Sequence, residues 1–363
     1  MRALPRRLAV WLLGQSEALH PGCFAFVMAT GIISNALFVE TYHTLSGLLF
    51  HGNVAAYGWL AMLTVLRSFR FPAAVWLDLT NPRQVFSFFT LVASNDVVGA
   101  GIYLRGVAGV PLDLWLLALF TWCVLIYFSF GVRAFRSSTQ GADILHGDWL
   151  LAIVGTESLV ILGALVAPAV GNLDHAVFVL INMLWGVGIA LYGSLVALLV
   201  YHLFFYRNAP DDLTPLLWIV MGAAAISTNA GSTLLLSDSG VPSLRTIRPF
   251  IEGVTFILWA WATWWIPLLL LFEIWKHGVR RIPLTYTPML WGIVFPLGMY
   301  SLASLRFSLA ADFPPLRALS LGMLWISVAA WFATLLGLVI TSWRSFQATN
   351  HPLRDNDTAE QRL

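Results

Sequence analysis

The stretch HPGCFAFVMATGIISNALF, residues 20–38, sets the pattern that decides the fold of this 363-residue chain. It contains no Asp, Glu, Lys or Arg, and it has about the 20 residues that an α-helix needs to cross the hydrocarbon core of a bilayer. Nine further stretches are similarly long and apolar, near residues 45–66, 84–104, 111–132, 148–167, 175–204, 214–235, 249–275, 285–304 and 318–343. The sequence therefore predicts an all-α integral membrane protein with ten transmembrane helices.

The composition of the chain excludes most classes of soluble protein. Hydrophobic residues make up 59% of the sequence, charged residues only 10%, and the mean hydropathy is +0.79. A soluble domain carries about 25% charged residues, which cover its surface. The net charge of +2 provides no basic field for a polyanion, so we expect no nucleic-acid partner. The partner that the composition implies is the lipid bilayer.

Nothing in the sequence predicts a cofactor or a metal site. The two cysteines, Cys23 and Cys123, lie in apolar runs and indicate neither a disulfide framework nor a metal cluster. HExxH, CxxC and phosphate-loop motifs are absent from the sequence. A membrane-embedded enzyme that uses Asp96 and Glu157 as an acid–base pair is a minor alternative, because no histidine or metal ligand is expected at their depth.

The basic residues predict the orientation of the chain. With the N-terminus in the cytoplasm, fifteen of the twenty Lys and Arg residues fall in cytoplasmic segments and five fall outside, as the positive-inside rule requires. We expect residues 1–19 to form a cytoplasmic juxtamembrane segment, residues 20–343 the transmembrane domain, and residues 344–363 a polar cytoplasmic tail. The protein would be a multi-pass protein of the cell membrane, most simply a bacterial inner membrane.

The spans repeat along the chain. The odd-numbered spans begin near residues 20, 84, 148, 214 and 285, which predicts five helical hairpins of similar length. Four of the odd spans carry polar clusters near their middle. The candidate pore-lining residues are Thr30, Asn35, Ser94, Asn95, Thr156, Ser158, Ser227, Thr228 and Asn229.

These polar clusters have two explanations. Polar groups in hydrocarbon must face a partner or water, so an inner ring of odd helices could line a path while the even helices face lipid. Serine and threonine also join membrane helices without lining anything, and that packing explanation is equally good for any one cluster. Clusters at matched depth in four alternate helices favour the path.

Two motifs carry a resemblance to a known family. The segments PGCFAFVMATGIIS, residues 21–34, and WGIVFPLGMY, residues 291–300, resemble signatures of the tellurite-resistance/dicarboxylate transporter family. This family includes TehA-like bacterial proteins, fungal malate and sulfite transporters and the slow anion channels of plant guard cells. The resemblance implies a quasi-five-fold bundle around a central anion pore, often in a homotrimer, with a phenylalanine of the ninth helix as a plug. By position that plug is Phe295, and Phe26 and Phe89 could also project inward.

The expected path has few charges. No Lys or Arg lies near the middle of a span, so an anion would meet hydroxyl groups, amides and freed backbone groups. Pro296 removes a helical hydrogen bond, and we expect a pore kink near it, with Gly298 close by. Such a break exposes backbone dipoles to an anion. Alternatively, Pro296 only shapes the bundle.

Asp96 and Glu157 are the two acidic residues at mid-span. A carboxylate there costs about 2.5–3.5 kcal/mol, which makes both residues functional candidates. Burial favours the neutral form of a carboxyl group, so either residue could bind a proton and couple anion movement to it, Glu157 more than Asp96. The alternative for Asp96 is structural, as an acceptor of hydrogen bonds from neighbouring hydroxyls.

The function predicted from the sequence is transport of small inorganic or carboxylate anions through a central pore gated by a phenylalanine. The main alternative is a proton-coupled carrier of C4-dicarboxylates such as malate. Channel and carrier differ in whether flux follows voltage alone or also the proton gradient.

Overall fold

The computed structural model describes residues 14–107, 109–136, 147–205 and 213–349. Most of the expected N-terminal segment, residues 1–19, and of the expected polar tail, residues 344–363, lies outside the described residues. Within them the chain is all-helical, with no strand. The long helices are α1 (Ala25–Val39), α2 (His43–Arg70), α3 (Phe89–Leu104), α4 (Val110–Arg136), α5 (Leu151–Val166), α6 (Asp174–Phe205), α7 (Ile219–Leu236), α8 (Arg248–Glu273), α9 (Trp291–Ala310) and α10 (Pro315–Thr349).

A short 3-10 turn leads into every odd-numbered helix. These turns span Pro21–Phe24, Val85–Phe88, Gly147–Leu150, Pro215–Trp218 and Pro288–Leu290. Three of them begin with proline, which fits the first position of a helix because its missing N–H has no partner there. The local structure therefore repeats at the same interval as the sequence.

Nine helical segments of the described residues are long and apolar enough to cross a membrane. One of them, Gly147–Phe205, has 59 residues and contains both α5 and α6. The two helices are joined by the 3-10 segment Ala167–Leu173, in which Gly171 has a non-helical backbone with φ 59° and ψ −124°. Glycine takes this conformation without a steric penalty.

The odd-numbered helices form the interior of the bundle. Contacts run from α1 to α3, α5, α7 and α9 in turn, and α9 returns to α1. Each even-numbered helix packs against the odd-numbered helix that precedes it. The apolar windows containing α1, α3, α7 and α9 are 67% to 94% buried, whereas those of α2, α4, α8 and α10 are 17% to 39% buried.

The five inner helices point in the same direction. Their leading 3-10 turns contact one another in succession at one end of the bundle. At the other end, Val39, Leu104, Leu165 and Arg306, all near helix C-termini, line one cavity. A parallel inner ring therefore has five helix N-termini at one end and five C-termini at the other.

The helices differ from the expected spans mainly in length. Helix α9 ends at Ala310, six residues beyond the expected 304, so Arg306 lies inside the helix. Helix α2 continues to Arg70 and includes Arg67, which forms an ion pair with Asp78 at 2.7 Å. Both arginines had been expected in connecting segments, because hydropathy alone ends a helix at its first charge.

Candidate functional site

A cavity lies on the axis of the inner ring, in its C-terminal half. It comprises about 490 Å³ of empty space, part of it open to the surroundings, and all five inner helices contribute to its wall. Most of the wall is aliphatic. The polar lining residues are Asn35, Asp96, Ser158, Asn229 and Arg306.

Four of these polar residues share a position in the sequence. Asn35, Asp96, Ser158 and Asn229 are each the last residue of the polar cluster on α1, α3, α5 and α7. Consecutive residues of an α-helix are rotated by about 100°, so only one residue of an adjacent pair or triplet faces the axis. The clusters therefore contribute one residue each to the cavity wall.

Hydrogen bonds connect the wall across helix boundaries. Ser158 Oγ donates to Asp96 Oδ2 at 2.7 Å, and Asn35 Nδ2 donates to the Val97 carbonyl at 3.0 Å. Asn229 Nδ2 lies 3.7 Å from Met299 Sδ. One oxygen each of Asn35, Asp96 and Asn229 has no hydrogen-bond partner among the described residues. Buried acceptors of this kind are available to water or to a ligand that donates a hydrogen bond.

Other polar residues of the clusters contact the outer helices instead. Seven hydrogen bonds run from an aromatic side chain of an even-numbered helix to the next odd-numbered helix. Two of them are Trp115 to the Leu159 carbonyl at 2.9 Å and Tyr192 to the Val220 carbonyl at 3.0 Å, and the other five lie one at each contact between successive helix pairs. Those five are Tyr57 to Asn95 Oδ1 at 2.7 Å, Trp122 to Thr156 Oγ1 at 2.7 Å, Trp185 to the Ser227 carbonyl at 3.2 Å, Trp259 to Ser304 Oγ at 3.1 Å and Trp331 to Thr30 Oγ1 at 2.9 Å. The fifth pair closes the ring from α10 to α1.

The remaining predicted lining residues bond to backbone. Ser94 Oγ donates to the Phe24 carbonyl at 3.0 Å, while Ser227 and Thr228 donate to carbonyls one turn earlier in α7, each at 2.9 Å. None of these three residues, nor Thr30, Asn95 and Thr156, is among the residues that line the central cavity. The structure thus places three of the nine candidates, Asn35, Ser158 and Asn229, on the cavity wall, while the other six hydrogen-bond to outer helices or to backbone carbonyls.

Glu157 is turned away from the cavity. Its carboxyl group is fully buried, and a Cβ added at Gly188 of α6 would collide with it. Neither carboxyl oxygen has a hydrogen-bond partner among the described residues. The Ser227 hydroxyl lies near but donates to the Ala223 carbonyl. Of the two mid-span acids, the structure therefore brings only Asp96 to the cavity.

Phe295 lies on the same stripe of α9 as the cavity residues Met299, Leu302 and Arg306. It precedes Met299 by four residues, about one turn, and is 1% exposed. Its ring therefore lies below the cavity, toward the N-terminal half of the inner ring. Phe26 packs against Trp291 with ring centroids 4.8 Å apart, and Phe89 packs against Gly155 of α5.

Pro296 and Gly298 occupy close contacts between inner helices. A Cβ at Gly222 of α7 would lie 2.8 Å from Pro296 Cγ, and a Cβ at Gly298 would lie 3.0 Å from Ile32 and Ile33 of α1. Helix α9 continues through Pro296 to Ala310. The absence of a side chain at Gly222 and at Gly298 therefore lets α9 approach α7 on one side and α1 on the other.

Arg306 is the functional candidate that the sequence reasoning missed. It is partly buried, lines the cavity, and forms no hydrogen bond or ion pair with any described residue. The signal that could have found it is the spacing of positions 295, 299, 302 and 306, which places one face of a helix on the axis. The expectation that an anion meets no fixed positive charge is therefore incomplete: the middle of the spans lacks one, but the cavity wall has one.

Membrane-capable helices packed around a central cavity are an arrangement found in transport proteins of the channel and carrier class. Residues 18–339 match the model of the voltage-dependent anion channel family, SLAC1, and the chain belongs to this family. The resemblance seen in the two motifs is thereby confirmed.

Relatives at several levels of similarity carry compatible names. The chain is 26% identical over 333 residues to an uncharacterized transporter of Methanocaldococcus jannaschii, covering 86% of this chain and 92% of the relative. It is 37% identical over 150 residues to an uncharacterized membrane protein of Mycobacterium tuberculosis, covering 41% and 75%. It is 22% identical over 313 residues to a sulfite efflux pump of Arthroderma otae, covering 78% and 80%. These names describe membrane and transport proteins, not enzymes.

Proposed function

We propose that the protein moves small anions across the cell membrane through the centre of a ten-crossing bundle of five hairpins. Ten crossings follow if Gly147–Phe205 crosses twice, since 59 residues in one helix would extend about 90 Å, three times the hydrocarbon thickness. The break at Gly171 supports this division. The distribution of Lys and Arg supports cytoplasmic termini, and the family resemblance supports a homotrimer.

The observation that carries the proposal is the central cavity, because its wall is built from all five inner helices. A space on the axis of a parallel ring is where a continuous path would run. Phe295, buried one turn before the lining residue Met299 on the same face of α9, is the proposed gate. Its displacement would join the cavity to the N-terminal half of the ring.

The gate is tested by flux measurements on protein reconstituted in liposomes. We expect Phe295→Ala to increase the flux of chloride, nitrate, sulfite or malate by about tenfold or more, which corresponds to a barrier lowered by about 1.4 kcal/mol. Phe307→Ala is the matched control. It removes the same ring from the same helix, but Phe307 packs against Phe256 and Trp259 of α8.

The outcomes separate transport from gating. If neither wild type nor Phe295→Ala moves any of the four anions, the transport proposal is wrong. If wild type conducts and Phe295→Ala conducts equally, transport is supported and the phenylalanine gate is rejected. An equal increase in Phe307→Ala would assign the effect to loosened packing.

Proton-coupled transport of a C4-dicarboxylate such as malate is the second candidate. It is favoured by one observation, the Asp96 carboxyl group on the cavity wall with one oxygen free of partners. A carboxyl group in contact with the path can bind a proton beside the anion, whereas Glu157 would act from behind the wall. Malate uptake driven by an imposed proton gradient, with no membrane voltage, would support this candidate.

A further inference from the structure

Arg306 is a cation without a counter-ion among the described residues. It projects from the C-terminal part of α9 into the wall of the central cavity and forms no ion pair with a described residue. Burial of a charge away from water is costly unless an opposite charge or several hydrogen bonds compensate it. An anion that enters the cavity would offset the cost of removing this guanidinium from water.

The other arginines near the same end of the inner ring are engaged. Arg105 donates hydrogen bonds to the Gly101 carbonyl and to both Ser34 and Ser46, and its guanidinium lies over the rings of Phe38 and Phe50. Arg317 is 67% exposed and lies 3.5 Å from Glu40. Of the basic residues near this end, Arg306 lines the cavity and has no hydrogen-bond or ion-pair partner among the described residues.

The local field makes a cation necessary at this place. Four inner helices, α1, α3, α5 and α9, end near the cavity, and each helix C-terminus carries about half a negative charge from its free carbonyl groups. Asp96 adds a carboxyl group to the same wall. Without Arg306, the C-terminal half of the ring would repel anions, while the N-terminal half, with its free N–H groups, would attract them.

We propose that Arg306 binds the transported anion in the central cavity and favours small oxyanions over halides. This inference rests on the proposed transport function and adds the residue and the class of anion. The planar guanidinium fork donates two parallel hydrogen bonds to two oxygens of nitrate, sulfite or a carboxylate, which a spherical halide cannot accept in the same way. The binding site lies on the side of Phe295 that faces the C-terminal mouth.

Three substitutions test the inference: Arg306→Gln, Arg306→Lys and the control Arg245→Gln. Arg245 is exposed and pairs with Asp238 at the surface, so its loss changes net charge by the same amount. We expect Arg306→Gln to raise the half-saturating concentration for nitrate about tenfold or more, and Arg245→Gln to leave it unchanged. Arg306→Lys should retain chloride flux and lose most of the preference for nitrate over chloride.

Two measurements on the same purified proteins distinguish failure of the inference from failure of transport. The first is flux in liposomes with Phe295→Ala present in every protein, and the second is calorimetric titration with sodium nitrate and sodium chloride. If flux is present but neither nitrate affinity nor half-saturation responds to Arg306→Gln, Arg306 is not the binding residue and the transport proposal stands. If nitrate binding disappears in Arg306→Gln but no protein conducts, the binding site stands and the transport proposal fails.

A chemical restoration keeps the test decisive if Arg306→Gln does not fold. In a background with Cys23→Ser and Cys123→Ser, Arg306→Cys provides a single thiol on the cavity wall. We expect a cationic methanethiosulfonate to restore nitrate flux to at least half of the Arg306 level, and an anionic reagent of similar size to lower it further. Equal effects of both reagents would overturn the inference.

Discussion

Asp96 and Glu157 are both acids at the middle of inner helices, yet the structure gives them different surroundings. Asp96 faces the central cavity and accepts a hydrogen bond from Ser158, its neighbour across the α3–α5 contact. Glu157 precedes Ser158 by one residue and faces the backbone of α6 at Gly188. On α5, Ser158 lines the cavity, whereas Glu157, one residue earlier, lies at the contact with α6. One step along a helix therefore decides whether a side chain faces the cavity or a neighbouring helix. Mid-membrane depth therefore identifies both as unusual, and only rotation about the helix axis tells which one can meet an anion.

The largest expected effect comes from crowding Glu157. Gly188→Ala places a methyl group where the carboxyl group lies, and overpacking of this kind costs about 1–3 kcal/mol. We expect a clear loss of thermal stability of the purified protein in detergent. Gly186→Ala is the control, because a Cβ there meets nothing within 4 Å.

The double variant Gly188→Ala with Glu157→Ala makes the comparison stricter. If Glu157 fills the space beside Gly188, the second substitution recovers part of the loss, with a coupling of about 0.5–3 kcal/mol. Equal thermal stability of the two glycine variants would show that the Glu157 side chain lies elsewhere.

The second expected effect separates the two acids by transport. Asp96→Asn keeps a hydrogen-bond acceptor for Ser158 but cannot take up a proton, and we expect it to change anion flux about fivefold, or about 1 kcal/mol in the barrier. Glu157→Gln should leave flux within a factor of two while it changes thermal stability. The measurement is nitrate and malate flux in liposomes at two internal pH values. The opposite pattern, with Glu157→Gln abolishing a pH dependence that Asp96→Asn preserves, would return the coupling role to Glu157.

The smallest expected effect concerns Asn95, which directly precedes Asp96. Tyr57→Phe deletes the hydroxyl that donates to Asn95 Oδ1 and nothing else. Hydrogen bonds between membrane helices are worth about 0.6 kcal/mol on average, so we expect a small drop in thermal stability with flux unchanged. Tyr127→Phe is the control, since Tyr127 is 80% exposed. A change in flux larger than that of Asp96→Asn would mean that Asn95 contacts the path.

The sequence predicted the helical class and the family, because span length, hydropathy and local motifs depend on local composition. It could not assign faces within Ser94-Asn95-Asp96 or Thr156-Glu157-Ser158, since mid-span hydropathy contains no information on helix rotation. The rotation of an inner helix is revealed by its hydrogen-bond partners on other helices. Trp122 of α4, for example, donates to Thr156 of α5. Arg306 was missed for a related reason: hydropathy ended the ninth span at 304, before the last turn of α9 that faces the cavity.

The hydrogen bond from Trp331 to Thr30 joins positions 301 residues apart in the chain. During synthesis at about 5–20 residues per second, α1 enters the membrane roughly 15–60 s before its partner on α10 exists. Until then α1 lacks its contact with α9, and the ring of inner helices is incomplete. Helices α1 to α8 can pair with their neighbours before then, yet the inner ring is closed only when α9 packs against α1. The central cavity is therefore completed only in the last step of assembly, when the C-terminal pair of helices is in place.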